Sequence, residues 1–363
     1  MITINEPEIN FITKKDLSIL NINENTIIEN DALDTLKNMI KNKQLIDFIY
    51  IDPPYNTKKK GEFRYSDTFE INKYLEFTYE YLFLAKQVLK ESGSIMISID
   101  DESYHWLKMI CDYVFGNENF LSTFIWKKTY SVKNDKVGIS NQHEYILFYG
   151  KNKKETFIKK DQNVSEEYIK RAYRNFDEKG RYRLCDLHKA KNKNFYTWVA
   201  PNGKKWHRGW NYNKEGMDKL ESENMIYYGK DGNGIPSRKL YLKEKMEKNF
   251  VSFLPSEKVG YSGDGAKVLK KLGFQQMDFI YAKPPSLIKY LFSISLPKNA
   301  IVMDFFAGSG TTAQAVIEYN KENNDNVRCI LNNKDENNIV SGILIPRVNK
   351  VCEIENEKKF KTI

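Results

Sequence analysis

The chain has 363 residues and a formal charge of +9, enough length for one large domain with an insertion or for two domains. No apolar run approaches the ~18 residues of a membrane span, and Met1 to Glu6 lacks the basic start and apolar core of a signal peptide, so a soluble, cytoplasmic protein is expected. Cys111, Cys185, Cys329 and Cys352 lie apart without Cys-x-x-Cys pairing and the histidines do not join them at ligand spacing, which argues against a disulfide framework or a metal site.

The charge is unevenly placed. Residues 151–250 hold 25 Lys and Arg against 14 Asp and Glu, a net of +11, which leaves 32 against 34 for the rest of the chain. A polyanion-binding module inserted into a neutral body has this distribution.

Thr26 to Glu29 is predicted as a short strand and Asn30 to Ile40 as a helix, capped by Asn30 or Asp31, with Leu33, Leu36, Met39 and Ile40 on one face. Ile46 to Ile51 is an apolar, β-branched and aromatic run that stops abruptly at Asp52-Pro53-Pro54-Tyr55-Asn56. This is the pattern of a buried parallel strand ending in a rigid polar loop, the place where open α/β sheets put their chemistry. Each proline fixes its own φ and pushes the preceding residue into extended geometry, so Asp52 and Tyr55 are held in a stiff, non-helical frame. A ligand amino group facing this loop meets a carboxylate, a backbone carbonyl and an aromatic face.

Thr57 to Phe63 is basic and carries a glycine. Apolar residues at helical spacing predict a helix over 72–90, stopped by Glu91-Ser92-Gly93. Ser94 to Asp100 reads as a second buried strand, and Asp101 starts a helix through Ile110. This alternation predicts a parallel sheet. Phe120 to Trp126 and Glu144 to Tyr149 are expected as later strands, in a hairpin, with the basic loop 127–134 between them.

Inside the basic segment, Tyr196 to Trp210 interleaves aromatics with cations around Pro201-Asn202-Gly203. Cations neutralise phosphates and aromatic planes stack on bases, whereas Trp198 and Trp210 are expected in the small core of an inserted domain. Asp278 to Leu291 reads as a strand end, a Lys283-Pro284 stop and a helix. Ala300 to Met303 is a buried strand feeding Asp304-Phe305-Phe306-Ala307-Gly308-Ser309-Gly310, and a helix follows from Thr311 through Tyr319. The glycines let the backbone approach a ligand, and the helix start offers free N–H groups. Val327 to Leu331 is the next strand.

Ile51-Asp52-Pro53-Pro54-Tyr55-Asn56 resembles the catalytic motif of DNA amino-methyltransferases, and Asp304 to Thr312 resembles their cofactor-binding motif. The order, catalytic motif first, resembles the β class, which includes the modification subunits of type III restriction systems. The resemblance runs over most of the chain. It implies a Rossmann-like S-adenosylmethionine-dependent methyltransferase fold, mostly parallel and permuted in motif order, with an inserted target-recognition domain. The implied boundaries are 1–150 and 276–363 for the two halves of the methyltransferase domain and 151–275 for the recognition domain.

The same resemblance implies catalysis at Asp52, Pro53, Pro54 and Tyr55, and cofactor contacts from Asp31, Lys283, Asp304, Phe306, Gly308, Gly310 and Thr311. Double-stranded DNA is the implied substrate, and a second copy of the chain or a restriction subunit are partners that the family admits. Asn141 to Tyr145 resembles the segment that helps close the target-base pocket, where His143 is expected to serve structure rather than act as a base. The family places an acidic residue on the cofactor ribose beyond the strand ending at Leu331; here Asn332-Asn333-Lys334-Asp335-Glu336 follows, with Glu336 as a substitute. Asp before Pro-Pro-Tyr favours N6 of a flipped-out adenine as the target. Cytosine-N4 methylation and a catalytically vestigial DNA-binding subunit stay open, and the chain's length suggests a stand-alone enzyme over a type III modification subunit.

Overall fold

The computed structural model describes residues 24–56, 69–131, 139–159, 166–189, 194–242, 249–275, 282–358 and 360–362. The basic stretch 57–63, residues 132–134 of the basic loop and the strand end at 278–281 lie outside these residues. The chain forms two units, one of Met1–Lys159 with Phe250–Ile363 and one of Lys160–Asn249.

Before the smaller unit come β1 (Thr26–Glu29), α1 (Ala32–Lys41), β2 (Ile46–Ile51), α2 (Ile71–Val88), β3 (Leu89–Ile99), α3 (Tyr104–Phe115), β4 (Phe120–Lys127) and β5 (His143–Gly150). The smaller unit holds α4 (Glu166–Ala172), β6 (Asn175–Asp177), β7 (Gly180–Asp186), β8 (Asn194–Val199), β9 (Lys205–Trp210), α5 (Lys214–Ser222), β10 (Ile226–Tyr227) and β11 (Ser237–Tyr241). After it come α6 (Ser256–Val259), α7 (Ser262–Lys271), α8 (Pro285–Ser295), β12 (Ile301–Asp304), α9 (Thr311–Asn323), β13 (Arg328–Asn333), α10 (Ile345–Glu355) and β14 (Lys361–Thr362). Among the described residues no helix is long and apolar enough to cross a membrane.

In the larger unit the strands form one sheet in the order β14-β1-β13-β12-β2-β3-β5-β4. Pairing is parallel from β14 to β3 and antiparallel from β3 through β5 to β4. The cause is visible in β2, which is apolar on both faces. Phe48 and Tyr50 pack into one core with residues of α8, α9 and α10, while Ile49 and Ile51 pack into the other with α1, α2 and α3. A strand buried on both sides needs helices on both sides. The result is a Rossmann-like, mostly parallel sheet, with the pair β4 and β5 as the expected hairpin.

One helix end differs from expectation. The helix over 72–90 stops at Val88, and the chain passes directly into β3. A Cβ on Gly93 would lie 3.1 Å from the carbonyl oxygens of Ile46 and Asp47, and the register of β2 on β3 shifts beside it. This glycine accommodates close backbone approach in a sheet rather than ending a helix.

Residues 250–275 group with the larger unit, where the sequence had suggested a boundary at 275. They run along β4: the amide of Ile125 donates to Ser252 O at 2.8 Å, Leu254 N returns to Ile125 O at 3.0 Å, and Trp126 Nε1 donates to Gly260 O at 2.9 Å. Leu254 and Val259 are buried in the main core. Cross-strand bonding to the edge of the sheet, a long-range matter, places this stretch.

The smaller unit has a four-stranded antiparallel sheet, β10-β11-β7-β6, and the ribbon β8-β9. Its core is Leu187, Trp198, Trp210, Met217, Leu220 and Ile226. Trp198 Nε1 donates to Tyr228 Oη at 3.1 Å and Trp210 Nε1 to Tyr196 O at 2.9 Å, so both indoles are buried with their polar edge satisfied.

Candidate active site

The carboxyl ends of β1, β13, β12, β2 and β3 are neighbours in the sheet, and a cavity of about 600 Å³ opens there. Of the residues predicted for catalysis and cofactor binding, all but Pro53 and Gly310 line it. Pro53 is buried beside it in the loop, and Gly310 caps α9 with φ 79°. Because β2 and β12 pair in parallel, with Met303 beside Ile49, Asp52 and Asp304 leave adjacent strand ends despite their separation in sequence.

Asp52 is the centre of an ionic cluster. Lys283 Nζ donates to Asp52 Oδ1 at 2.8 Å and to Oδ2 at 2.7 Å, and lies 3.0 Å from Tyr55 Oη. Tyr55 Oη donates to Asp52 Oδ1 at 2.5 Å. Glu144, at the start of β5, puts Oε2 3.4 Å from Lys283 Nζ, while its Oε1 accepts from Lys128 Nζ at 3.1 Å. Burial pushes the Glu144 carboxyl up, but Lys283 and Lys128 outweigh it and hold it below the usual range. Burial likewise works against the Lys283 ammonium, and Asp52 and Glu144 reverse the effect, so the lysine is held more firmly charged than usual. The Tyr55 hydroxyl is driven far up by burial and then by Asp52 and Glu144, so it stays a donor.

Ser103 Oγ donates to Tyr55 O at 2.7 Å, and Asn56, at φ 57°, accepts from Phe69 N at 2.8 Å through its side chain. These bonds fix the exit of the loop from Phe69, just ahead of α2, and from Ser103, at the start of α3. The prolines set its local shape, and its neighbours set its place.

The second loop is held from inside and from behind. Asp304 accepts from Phe306 N at 3.0 Å and from Thr312 Oγ1 at 2.5 Å, closing the turn on itself. Burial pushes this carboxyl up to about 7, with Asp52 adding to the rise and the two donors opposing it. Gly308 N donates to Asn333 Oδ1 at 3.1 Å, and Thr311 Oγ1 donates to Lys283 O at 3.2 Å, which ties this loop to the lysine of the first cluster. Phe306 lies edge-on to Tyr81 and Phe77, 5.2 and 6.1 Å between ring centres.

From behind, the fully buried Arg347 of α10 donates from Nη1 to Ser309 O, Ser309 Oγ and Thr311 Oγ1, and from Nε and Nη2 to Gln314 Oε1. Burial pulls its pKa down to about 9.

Asp31 caps α1 by accepting from Leu33 N at 2.9 Å, and the same residue lines the cavity. His143 Nε2 lies 2.8 Å from Tyr145 Oη and does not line the cavity, which suits a structural part. At the end of β13, Asn333 is committed to Gly308, and Glu336 reaches the cavity wall. Glu144, Lys128 and Arg347 were not singled out from the sequence. Glu144 lies in the motif-like Asn141–Tyr145 stretch, a signal that pointed to its neighbourhood; Arg347 has no local signal at all.

A family described as DNA methylase matches residues 46–360. This chain belongs to that DNA methylase family. Among its methylase relatives, the type III restriction-modification enzyme StyLTI Mod subunit of Salmonella typhimurium is 33% identical over 355 residues, covering 87% of this chain and 54% of that protein. The type III enzyme EcoP15I Mod subunit of Escherichia coli is 29% identical over 386 residues, 86% of this chain and 59% of the relative. The type II methyltransferase M.KpnI of Klebsiella pneumoniae is 28% identical over 401 residues, 98% and 94% of the two chains. The chain thus spans somewhat more than half the length of these two Mod subunits.

Proposed function

We propose that this methylase transfers a methyl group from S-adenosylmethionine to N6 of an adenine turned out of duplex DNA, at a specific site. One observation carries the reading: Asp52, ending β2, and the Gly308 loop, following the neighbouring β12, face one cavity. An acceptor for an amine and a glycine cradle for a cofactor therefore stand side by side. At about 600 Å³ the cavity suits a ligand of the cofactor's size, and positive φ at Gly308 and Gly310 lets the backbone turn tightly there. Asp31, Phe306, Gly308 and Thr311 would hold the cofactor, and Glu336, also on the cavity wall, would serve its ribose. When bound, S-adenosylmethionine supplies an electrophilic sulfonium methyl group.

The chain's own residues then act on the base. An adenine amine is a poor nucleophile because its lone pair is delocalised into the ring. The Asp52 carboxylate and the Pro53 carbonyl accept hydrogen bonds from its two N–H groups and draw the nitrogen toward a tetrahedral shape, and the one proton the nitrogen loses on methylation leaves on the Asp52 side. Their stiff frame makes this positioning and electrostatic complementarity, without a covalent enzyme intermediate. The Tyr55 ring stacks on the flipped base. The smaller unit, with 21 Lys and Arg against 13 Asp and Glu in residues 160–249, would recognise the target sequence, its charge suiting phosphate. A cytoplasmic location and, by analogy with the Mod subunits, a place in a restriction-modification assembly belong to the same proposal.

The test is base-resolved sequencing of DNA from a methylation-free host that expresses the chain, beside an Asp52→Ala control. Modified adenines in one short context, absent from the control, are expected. Modified cytosines would transfer the mechanism to N4 of cytosine, and unmodified DNA would overturn the reading.

A further inference from the structure

The carboxylate that the proposed mechanism needs is already engaged. Both oxygens of Asp52 accept from Lys283 Nζ, at 2.8 and 2.7 Å, and the same nitrogen lies 3.0 Å from Tyr55 Oη. An ammonium on these acceptors occupies the ground that a target amine must take. Lys283 cannot simply turn to solvent, since its side chain is only 10% exposed and a buried charge stripped of its partner is strongly unfavourable. Among the described residues its ion pairs are with two carboxylates, Asp52 and Glu144.

Glu144 is arranged to take the lysine. Its Oε1 is occupied by Lys128 at 3.1 Å. Its Oε2 faces inward, 3.4 Å from Lys283 Nζ and 3.5 Å from Tyr55 Oη, so the lysine leans on Asp52 and stands just beyond a short bond to Glu144. Trp126 and Tyr55 flank the path, with Lys283 Nζ 5.9 and 5.2 Å from their ring centres. Their π faces favour a cation throughout a small swing.

We infer that Lys283 is a place-holder for the target amine, and that Glu144 is a positioning residue that receives the Lys283 ammonium when the base enters, freeing Asp52. The inference rests on the methyl-transfer reading above. It explains why two carboxylates and two lysines share one small buried space when the chemistry uses one carboxylate. With the ligand absent, Lys283 satisfies Asp52; with the amine present, Lys283 joins Lys128 on Glu144, one lysine to each carboxylate oxygen, and Asp52 takes the amine beside the Tyr55 hydroxyl. Losing the Glu144 charge would leave Lys283 locked on Asp52.

The test is single-turnover methyl transfer to duplex DNA at saturating cofactor, with DNA and cofactor affinities measured separately, for wild type, Glu144→Gln and the double variant Glu144→Gln/Lys283→Met. Glu144→Gln is expected to slow transfer by about ten-fold to a hundred-fold, the size of one charge-assisted hydrogen bond, with DNA and cofactor affinity within about two-fold of wild type. Removing the place-holder as well should restore part of the rate, so the double variant should be faster than Glu144→Gln alone. A purely structural role for Glu144 predicts the opposite order, because a second lesion in the cluster adds damage. An unaffected Glu144→Gln rate, or a double variant no faster than it, overturns the inference while leaving wild-type methyl transfer standing. A wild-type chain that transfers nothing to DNA overturns the functional reading and this inference with it.

Discussion

Replacing Arg347 by lysine probes the turn from Ser309 to Thr311, the proposed cofactor loop, from a residue outside the cavity wall. The guanidinium makes five hydrogen bonds from two edges, three from Nη1 to Ser309 and Thr311 and two from Nε and Nη2 to Gln314 Oε1. Arg347→Lys keeps the buried charge, so nothing is gained by relieving desolvation. An ammonium is a point donor and can serve the Ser309 side or Gln314, but not both. Leaving the buried Gln314 oxygen without this donor costs about 1–3 kcal/mol, and each kcal/mol lowers the melting midpoint of a chain this size by about 1–2 °C. The turn from Ser309 to Thr311 then has to be ordered on binding, and S-adenosylmethionine affinity should fall about ten-fold, the equivalent of about 1.4 kcal/mol. Thermal unfolding and calorimetric titration with the cofactor read both quantities. Unchanged melting together with unchanged cofactor affinity would refute the claim that the guanidinium clamps this turn.

Other expectations follow from single groups. Burial raises Asp304 from its ordinary 3.8 to about 7, so the folded chain binds more protons than the unfolded one across that window and stability falls as pH rises through it. The melting midpoint of wild type should therefore drop against that of Asp304→Asn between about pH 4 and about pH 7, and parallel curves would contradict the assignment. Gly310→Ala forces a side chain into φ 79° with its Cβ 3.3 Å from Val348 Cγ2, and should lose about 1–2 kcal/mol, read by denaturant unfolding. Trp210→Ala removes a fully buried indole from the small core of Leu187, Trp198 and Met217 at about 3–5 kcal/mol. Such a loss approaches the whole stability of a domain that size, so DNA binding should fail while cofactor binding, which the proposed function assigns to the other unit, persists.

Some features of this fold are encoded by adjacent residues alone. Strand β2 and its stop at Asp52 are written in a short apolar run broken by two prolines, and the β12 loop in a strand followed by Asp304 and spaced glycines. The alternation of strands and helices announced a parallel sheet, and the crowding of Trp198 and Trp210 among cations announced a small core as well as a basic surface. Tertiary structure decided what depends on distant partners. Lys283 meets Asp52 across 231 residues, Glu144 reaches the same cluster from β5, and Arg347 braces Ser309 from a helix with no motif of its own. Gly93 reads locally as a helix stop and serves instead where two strands approach, and residues 250–275 join the larger unit through bonds to β4. The physical reason is the same in each case: periodicity and stop chemistry are local, whereas an ion pair or a close backbone approach is fixed only when the sheet brings remote segments together.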